Sequence, residues 1–137
     1  MRYFLILVVV SFSTFSFKYG FWSEASEASD TMIDTRAVSV LKGTITHVRD
    51  GDTFEINGIP VRISALDCAE NNTPEGKNIT RFAKRFLGKQ AVCELTGAKT
   101  YDRVVGYCSI AGKDFAFIMM SETSCKLWAK YDVWDRY

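Results

Sequence analysis

The stretch DGDTFEINGIPVRISALDCAE, residues 50–70, carries the strongest fold signal of this 137-residue chain. TFEIN and PVRISAL alternate in the manner of strands, and the Asn57-Gly58 pair between them is the strongest short hairpin signal in the chain. Upstream, LKGTITHV (41–48) is typical of a strand, and the DGD turn connects it to TFEIN. Three strands joined by short turns predict an antiparallel meander.

The sequence after residue 70 contains two helix patterns and one pair of strands. After the loop NNTPEGKN (71–78), ITRFAKRFL places apolar residues on one helical stripe, which predicts a helix over 79–87 that ends at Gly88. QAVCEL (90–95) and RVVGYCSI (103–110) predict two strands around GAKTYD, DFAFIMMSE (114–122) predicts a second helix, and SCKLWAKY (124–131) predicts an extended segment. Five antiparallel strands with a helix between the third and fourth predict a mainly β (α+β) domain, a five-stranded OB-fold barrel with two to three helices.

Residues 1–28 have the pattern of an export signal. A positive start is followed by an apolar run over 3–17 and then by small residues suited to signal cleavage. Lys18 interrupts the run before the roughly 20 residues that a membrane-spanning helix needs, and an anchor over residues 3–22 is the alternative. We therefore expect a signal peptide (1–28), a polar linker (29–40) and a folded domain (41–137). This organisation predicts a secreted or periplasmic protein with no stable membrane association after cleavage.

Charge and cysteine content exclude two classes of function. The 17 basic and 16 acidic residues nearly balance, which excludes a polybasic protein that binds nucleic acid by charge density alone. No two cysteines form a C-x-x-C pair, and the only histidine, His47, lies well before all four, on a strand where we expect it at the surface. We therefore expect two disulfides in place of a zinc site, with three connectivities open. The cysteines are Cys68, Cys93, Cys108 and Cys125.

Three acids of the opening stretch are candidates to meet at one point. Asp52 lies at the first turn, and Asp67 and Glu70 end the third strand, which should lie beside that hairpin. Carboxylates brought together repel unless a cation joins them, and hard oxygen ligands suit Ca²⁺ or Mg²⁺. The alternative is a set of solvated turn carboxylates.

Two arginines extend this pattern toward phosphate chemistry. Arg62 lies inside an apolar strand and needs an anionic partner, and Arg103 opens a later strand. Two guanidinium groups beside a divalent cation would clamp a phosphate. The alternative is that Arg62 pairs with an acid across the sheet and that Arg103 pairs with Asp102.

Three segments in order, GTITHVRDGDTFEINGIPVRISALDCAE, YDRVVGYC and GKDFAFIM, resemble the staphylococcal nuclease family of calcium-dependent phosphodiesterases built on an OB barrel. The resemblance covers roughly residues 41–131 and rests on the D-G-D-T turn, the R-x-x-x-x-D-x-x-E motif and the arginine that opens a later strand. It implies a Ca²⁺-dependent nuclease of DNA and RNA that favours single-stranded substrate and leaves 3′-phosphates; we expect a monomer. The competing classes are a catalytically silent OB module that binds nucleic acid or protein, and an anchored adhesion module.

The resemblance also implies a role for each matching residue. Asp52 and Asp67 would bind Ca²⁺ through their carboxylates and Cys68 through its backbone carbonyl. Glu70 would act as general base, and Arg62 and Arg103 would hold the scissile phosphate. Tyr101, Trp128 and Tyr131 would lie beside the nucleotide. The sequence departs from the family where Cys68 and Ala69 replace threonine and proline, in a shorter arginine loop, and in the short segment after the second helix.

This architecture favours one pairing of the cysteines. Cys93 and Cys108 lie on hairpin-paired strands and could bridge across the ladder. Cys68, just past the third strand, would then meet Cys125, just past the second helix. The pairing would covalently hold the residue whose carbonyl is expected to bind Ca²⁺.

Overall fold

A computed structural model describes residues 33–137 of the chain. The predicted signal peptide, its anchor alternative and residues 29–32 of the predicted linker lie outside the described residues. Within residues 33–137, no helix combines the length and the apolar character needed to cross a membrane.

The domain is mainly β, with a closed ring of strands and two helices. Its elements are β1 (Ser39–Asp50), β2 (Thr53–Ile56), β3 (Ile59–Ile63), β4 (Leu66–Asp67), α1 (Pro74–Ala83), β5 (Gln90–Thr100), β6 (Arg103–Ile110), β7 (Lys113–Asp114), α2 (Phe115–Glu122) and β8 (Lys126–Leu127). The main sheet has the order β3-β2-β1-β5-β6-β7, and an additional pairing between β3 and β6 closes the ring. β4 and β8 form a separate two-stranded ladder.

The closing pair of the ring corrects the expectation of five antiparallel strands. β3 and β6 run parallel, with Val61 opposite Val104 and Arg62 opposite Val105. The other four neighbouring pairs of the ring are antiparallel. A ring with an odd number of strands cannot alternate direction all the way round, so one pair has to be parallel.

Helix α1 begins at Pro74, five residues before the predicted start at Ile79. Thr73 caps it by accepting a hydrogen bond from the backbone N–H of Gly76, and proline occupies the first turn, where its missing N–H has no cost. The sequence TPEG carries this start signal, although the turn-forming composition of residues 71–78 predicts a loop. Ile79 and Ala83 of the predicted apolar stripe are buried, Phe82 and Phe86 are partly buried and pack on the core, and Leu87 is exposed. The last turn, Lys84–Phe86, is a 3₁₀ helix.

Three other boundaries differ from the sequence-based expectation. β1 begins at Ser39, inside the predicted linker, because its first residues pair with β5. β5 continues through Thr100, so that only Tyr101 and Asp102 form the turn before β6. The segment expected to be extended divides into β8 and a 3₁₀ turn, Ala129–Tyr131.

The core lies inside the ring and under α2. Its most buried apolar side chains are Ile45, Phe54, Ile56, Val61, Ile63, Leu66, Phe115 and Met119. The Phe115 ring meets Phe54 edge-on, with centroids 5.1 Å apart. α2 therefore closes one side of the barrel, and Met119 lies in the core. His47 is exposed, as expected.

Both disulfides form in the expected pairing. Cys93 and Cys108 face each other on β5 and β6, and Cys68 is bonded to Cys125. The bonded cysteines are 15 residues apart in the Cys93–Cys108 disulfide and 57 residues apart in the Cys68–Cys125 disulfide. Restricting the unfolded chain over such loops contributes about 3 and about 4 kcal/mol in the chain-entropy account.

The last residues of the chain pack against the barrel through Asp132. Its carboxylate accepts hydrogen bonds from the Tyr107 hydroxyl (2.8 Å) and from the backbone N–H groups of Arg136 (3.0 Å) and Tyr137 (2.9 Å). Burial alone would raise the pKa of Asp132, but these hydrogen bonds outweigh it and lower the pKa. Trp134 stacks on Tyr107 with ring centroids 4.7 Å apart.

Candidate functional site

The candidate site is built around the tight turn between β1 and β2. Asp52 donates its backbone N–H to the Asp50 carboxylate at 3.2 Å. A Cβ atom at Gly51 would lie 2.3 Å from the Ile79 side chain and 3.0 Å from the Cys68 sulfur, so only glycine fits there without displacing its neighbours. The turn is therefore packed directly against α1 and the Cys68–Cys125 disulfide.

Asp52 is 7% exposed, and its carboxylate has partners on both oxygens. Oδ2 accepts a hydrogen bond from the Cys68 backbone N–H (3.2 Å) and lies 3.3 Å from Nη2 of Arg62, while Oδ1 accepts from the Thr53 hydroxyl (3.2 Å). Burial raises the pKa of Asp52 to about 7; the Arg62 charge opposes this shift and the Asp50 charge adds to it. The turn thus holds a buried acid whose ionised form needs positive charge nearby.

Arg62 pairs with an acid, as the alternative to phosphate binding in the sequence analysis predicted. Its Nη2 pairs with Asp52, and its Nη1 donates to the Ile63 carbonyl at 2.6 Å. The guanidinium is mostly but not fully buried. Arg62 therefore joins the strand β3 to the turn that precedes β2.

Arg103 does not pair with Asp102, which was the alternative to phosphate binding in the sequence analysis. Its Nη1 donates to the Thr53 hydroxyl at 3.2 Å, its Nε donates to the Thr100 carbonyl at 3.3 Å, and its guanidinium lies 5.6 Å from the Tyr101 ring centroid. Among the ion pairs of residues 33–137, none joins Arg103 to Asp102. Both observations leave the Arg103 guanidinium directed at the candidate site.

Asp102 instead binds Arg49 in a two-pronged ion pair. The Arg49 nitrogens Nη1 and Nη2 lie 3.1 and 2.9 Å from the two carboxylate oxygens. The hydrogen bonds from Arg49 lower the pKa of Asp102. This pair ties the turn before β6 to β1 and leaves Arg103 available for other partners.

Arg62 and Arg103 leave the sheet on the same face. Arg62 is the register partner of Thr53 on β2 and of Val105 on β6. Arg103 lies two residues before Val105, and residues two apart on a strand share a face. The fold thus brings two guanidinium groups and one buried hydroxyl to one end of the barrel.

Thr53 belongs to the candidate site, and the motifs in the sequence did not single it out. It is 1% exposed, accepts from Arg103 and donates to Asp52, so it connects the basic and acidic parts of the site. The available signal was the threonine of D-G-D-T, a β-branched residue whose hydroxyl lies on the strand face opposite the core residues Phe54 and Ile56. Such a buried hydroxyl needs hydrogen-bond partners.

The other two predicted acids are more exposed than Asp52. Asp67 lies on β4 opposite Lys126, and the backbone carbonyl of Glu70 accepts hydrogen bonds from the N–H and hydroxyl of Thr73. Among the hydrogen bonds and ion pairs of residues 33–137, none involves the carboxylate of Asp67 or Glu70. In that part of the chain, no three His, Cys, Asp or Glu side chains come close enough together to hold a metal ion. The structure joins Asp52 to the backbone of the 67–70 segment without bringing the three carboxylates to one point.

The chemistry of the donors fits Ca²⁺. Asp52 offers a buried carboxylate, and burial raises its pKa against the opposing charge of Arg62. The backbone of Cys68 is held against that carboxylate, and two further carboxylates, Asp67 and Glu70, follow on the same segment. Carboxylate and carbonyl oxygens are the ligands that Ca²⁺ prefers.

Two aromatic residues lie on the segment that follows β8. The Trp128 and Tyr131 rings meet edge-to-face with centroids 4.4 Å apart, and both remain exposed. Trp128 donates its backbone N–H to the Ala65 carbonyl, and the Ser64 hydroxyl donates to the Tyr131 carbonyl, each at 2.7 Å. The pair is therefore fixed to the residues directly after β3, the strand that carries Arg62. The third predicted aromatic, Tyr101, is 94% exposed.

A stripe of basic residues covers the solvent face of α1 and the turn after it. We call these residues the α1 basic stripe: Lys77, Arg81, Lys84, Arg85 and Lys89. All of them are exposed, and none takes part in an ion pair with another of residues 33–137. Arg85 and Lys89 lie over the rings of Phe82 and Phe86. The near-zero net charge of the chain thus conceals a locally cationic surface.

Comparisons with known proteins do not assign a family. No protein-family model matches this chain, and no curated protein matches its sequence. The function therefore rests on the site geometry and on the motifs in the sequence.

Proposed function

We propose that the protein is a Ca²⁺-dependent phosphodiesterase that hydrolyses DNA and RNA on an OB-type barrel. The observation that carries this proposal is the juxtaposition of Arg62 and Arg103 on one face of two neighbouring strands, beside the buried Asp52. The D-G-D-T and R-x-x-x-x-D-x-x-E motifs, which resemble those of the staphylococcal nuclease family, support it.

In this proposal the two arginines bind the scissile phosphate. A guanidinium presents a planar set of donors that matches two phosphate oxygens and stays charged at all relevant pH values. Thr53 orients Arg103, and the Asp52 carboxylate orients Arg62. Donors preset toward the phosphate stabilise the negative charge that develops as phosphorus becomes pentacoordinate.

Glu70 is the proposed general base. Its exposed carboxylate would accept a proton from the water that attacks phosphorus, and its loop is fixed by the hydrogen bonds from Thr73. Asp52, Asp67 and the Cys68 carbonyl are the proposed Ca²⁺ ligands. Bound there, Ca²⁺ would supply Lewis-acid stabilisation of the phosphate oxygens.

The exposed aromatics and the α1 basic stripe would bind the nucleic acid around the site. Tyr101, Trp128 and Tyr131 can stack on bases, which are accessible in single strands and not in an intact duplex. The basic stripe suits the phosphate backbone, whose binding releases counterions. Single-stranded DNA and RNA are therefore the expected substrates.

We further propose that the protein acts as a monomer outside the cytoplasm, secreted or periplasmic. Two disulfides and no free cysteine among the described residues support an oxidising compartment. The export signal predicted over residues 1–28 supports the same location.

Cleavage assays in Ca²⁺ and in EGTA test the proposal. Wild type is expected to cleave single-stranded DNA and RNA only with Ca²⁺, and Arg103→Ala is expected to lose roughly 10²- to 10³-fold in kcat. Glu70→Gln should lose comparable activity, whereas the exposed controls Glu122→Gln and Lys113→Ala should match wild type. Cleavage that persists unchanged in EGTA or in both site variants would exclude this mechanism.

A catalytically silent nucleic-acid-binding module is the second candidate. Two observations favour it. Within residues 33–137 the carboxylates of Asp52, Asp67 and Glu70 do not come together. The Asp52 carboxylate is already bound by the Arg62 guanidinium and the Cys68 N–H. Such a module would bind single strands with the same affinity in Ca²⁺ and EGTA and cleave in neither. Folded wild-type protein that binds without cleaving would establish this alternative.

A further inference from the structure

We propose that the Cys68–Cys125 disulfide is a positioning element of the candidate site, and that its reduction by a dithiol weakens Ca²⁺ binding. The Ca²⁺ readout rests on the proposed function. The structural readout, the hydrogen bond from Cys68 to Asp52, does not.

The disulfide lies directly behind the acidic turn. Cys68 donates its backbone N–H to Asp52 Oδ2 at 3.2 Å, and its sulfur and Cβ would each lie 3.0 Å from a Cβ placed on Gly51. The same residue thus contacts the turn through its backbone and its side chain. Moving Cys68 would release Asp52 Oδ2 and displace the backbone carbonyl that is the proposed third ligand.

Few interactions other than the disulfide join the segment that carries Cys68 to residues 125–131. The 64–68 segment meets the 125–131 segment through the two-residue ladder of β4 and β8, through the Trp128–Ala65 backbone hydrogen bond and through the hydrogen bond from Ser64 to Tyr131. A two-stranded pairing is marginal in water even when it is longer than this. The disulfide is the covalent link between the two segments, so its loss should loosen the 67–70 segment more than the rest of the barrel.

The second disulfide provides an internal control. Cys93 and Cys108 are 0% and 2% exposed and face each other between the long paired strands β5 and β6. Cys68 and Cys125 are 8% and 5% exposed, and Cys125 lies between the exposed residues Ser124 and Lys126. Because thiol–disulfide exchange depends on access, the Cys68–Cys125 bond should be reduced first.

The reduction is a two-electron exchange with a dithiol. One thiolate of the dithiol attacks a sulfur of the Cys68–Cys125 bond, which breaks and leaves a mixed disulfide and one cysteine thiolate. The second thiolate of the dithiol then displaces the other cysteine. The dithiol leaves as a cyclic disulfide, and its two protons end on the thiols of Cys68 and Cys125. Reoxidation reverses the exchange.

The test compares two paired variants of the full-length mature protein. The first is Cys68→Ser with Cys125→Ser, and the matched control is Cys93→Ala with Cys108→Ala. Amide hydrogen exchange at residue 68 is measured by NMR, and Ca²⁺ affinity is measured by calorimetry without nucleic acid. Wild type treated with a mild dithiol, with its free thiols located by alkylation and mass spectrometry, provides the same comparison without any substitution.

Loss of the Cys68–Cys125 bond is expected to speed hydrogen exchange of the residue-68 amide. It should also raise the Kd for Ca²⁺ by about tenfold, which is the smaller effect expected when a group that supports a metal ligand is removed. Saturating Ca²⁺ should then restore cleavage, which a general loss of folding would not allow. The control pair should lower thermal stability while leaving that amide and the Kd unchanged.

Residue-68 exchange that is as slow in the reduced wild type as in the oxidised protein would overturn the inference. An equal rise in Kd in the control pair would overturn it too, since the effect would then follow stability. If oxidised wild type binds no Ca²⁺ and cleaves nothing, the proposed function fails instead, and the exchange rates still decide whether the disulfide positions Asp52.

Discussion

Arg103 donates a hydrogen bond from Nη1 to the buried hydroxyl of Thr53, 3.2 Å away. That hydroxyl in turn donates to Asp52, which contacts Arg62. One side chain on β2 therefore links two arginines that come from β3 and β6. The geometry of the candidate site depends on this link as much as on the charged residues.

Thr53→Val tests the role of the Thr53 hydroxyl while keeping the shape of the side chain. The substitution keeps the volume but leaves Arg103 and Asp52 without their shared partner, which costs about 1–3 kcal/mol in the free energy of unfolding. We expect kcat to fall roughly tenfold, since about 1.4 kcal/mol of lost transition-state stabilisation corresponds to that factor. Thr53→Ser, which retains the hydroxyl, should recover most of the activity. Equal kinetics for the two variants would contradict this role.

Gly76→Ala should damage the loop that carries Glu70. A Cβ at residue 76 would lie 1.8 Å from the Glu70 carbonyl oxygen, so the loop or the start of α1 has to move. Overpacking of this kind costs about 3 kcal/mol at the upper end of its range. Urea unfolding should report that loss, whereas Lys77→Ala, at the neighbouring exposed position, should stay within about 0.5 kcal/mol of wild type.

The α1 basic stripe predicts a change in the salt dependence of binding. The double variant Arg81→Gln, Lys84→Gln removes two possible phosphate contacts and should lower the slope of log K against log salt by about 1.4 for single strands. Lys42→Gln with Lys113→Gln removes the same charge from β1 and β7 and should leave the slope unchanged. Fluorescence anisotropy with a labelled oligonucleotide in EGTA measures both. If the slope changes equally in both variants, the salt dependence follows from net charge and not from contacts made by the α1 basic stripe.

Asp132 predicts a specific loss of stability in acid. Its pKa is lower in the folded protein than in the unfolded chain, so its contribution is present above the unfolded value of 3.8 and is lost as the pH falls through the folded pKa. Asp132→Asn should be less stable than wild type by about 1–3 kcal/mol at pH 6, because the ionised acceptor is gone. The difference should shrink steadily below pH 4. A difference that stays constant between pH 6 and pH 2 would show that the Asp132 charge is not involved.

Local patterns were sufficient for much of the fold. The Asn57-Gly58 hairpin, the strand alternation and the apolar stripe of α1 depend on residues a few positions apart, so the sequence predicted each of them. The start of α1 is also encoded locally, because Thr73 and Pro74 form a recognised helix-start signal. The disulfide pairing followed from the order of the elements.

Local sequence patterns were enough to predict a turn with acids, arginines on two strands, two disulfides and a mainly β domain. How these residues meet depends on the tertiary fold. The parallel closure of β3 on β6 places Arg62 and Arg103 on the same face, and the burial of Asp52 raises its pKa. Arg49 pairs with Asp102, and Arg103 donates to Thr53. Each of these relationships joins residues that are distant in the chain, and their energies depend on burial and distance. Neither quantity can be obtained from the spacing of residues along the sequence.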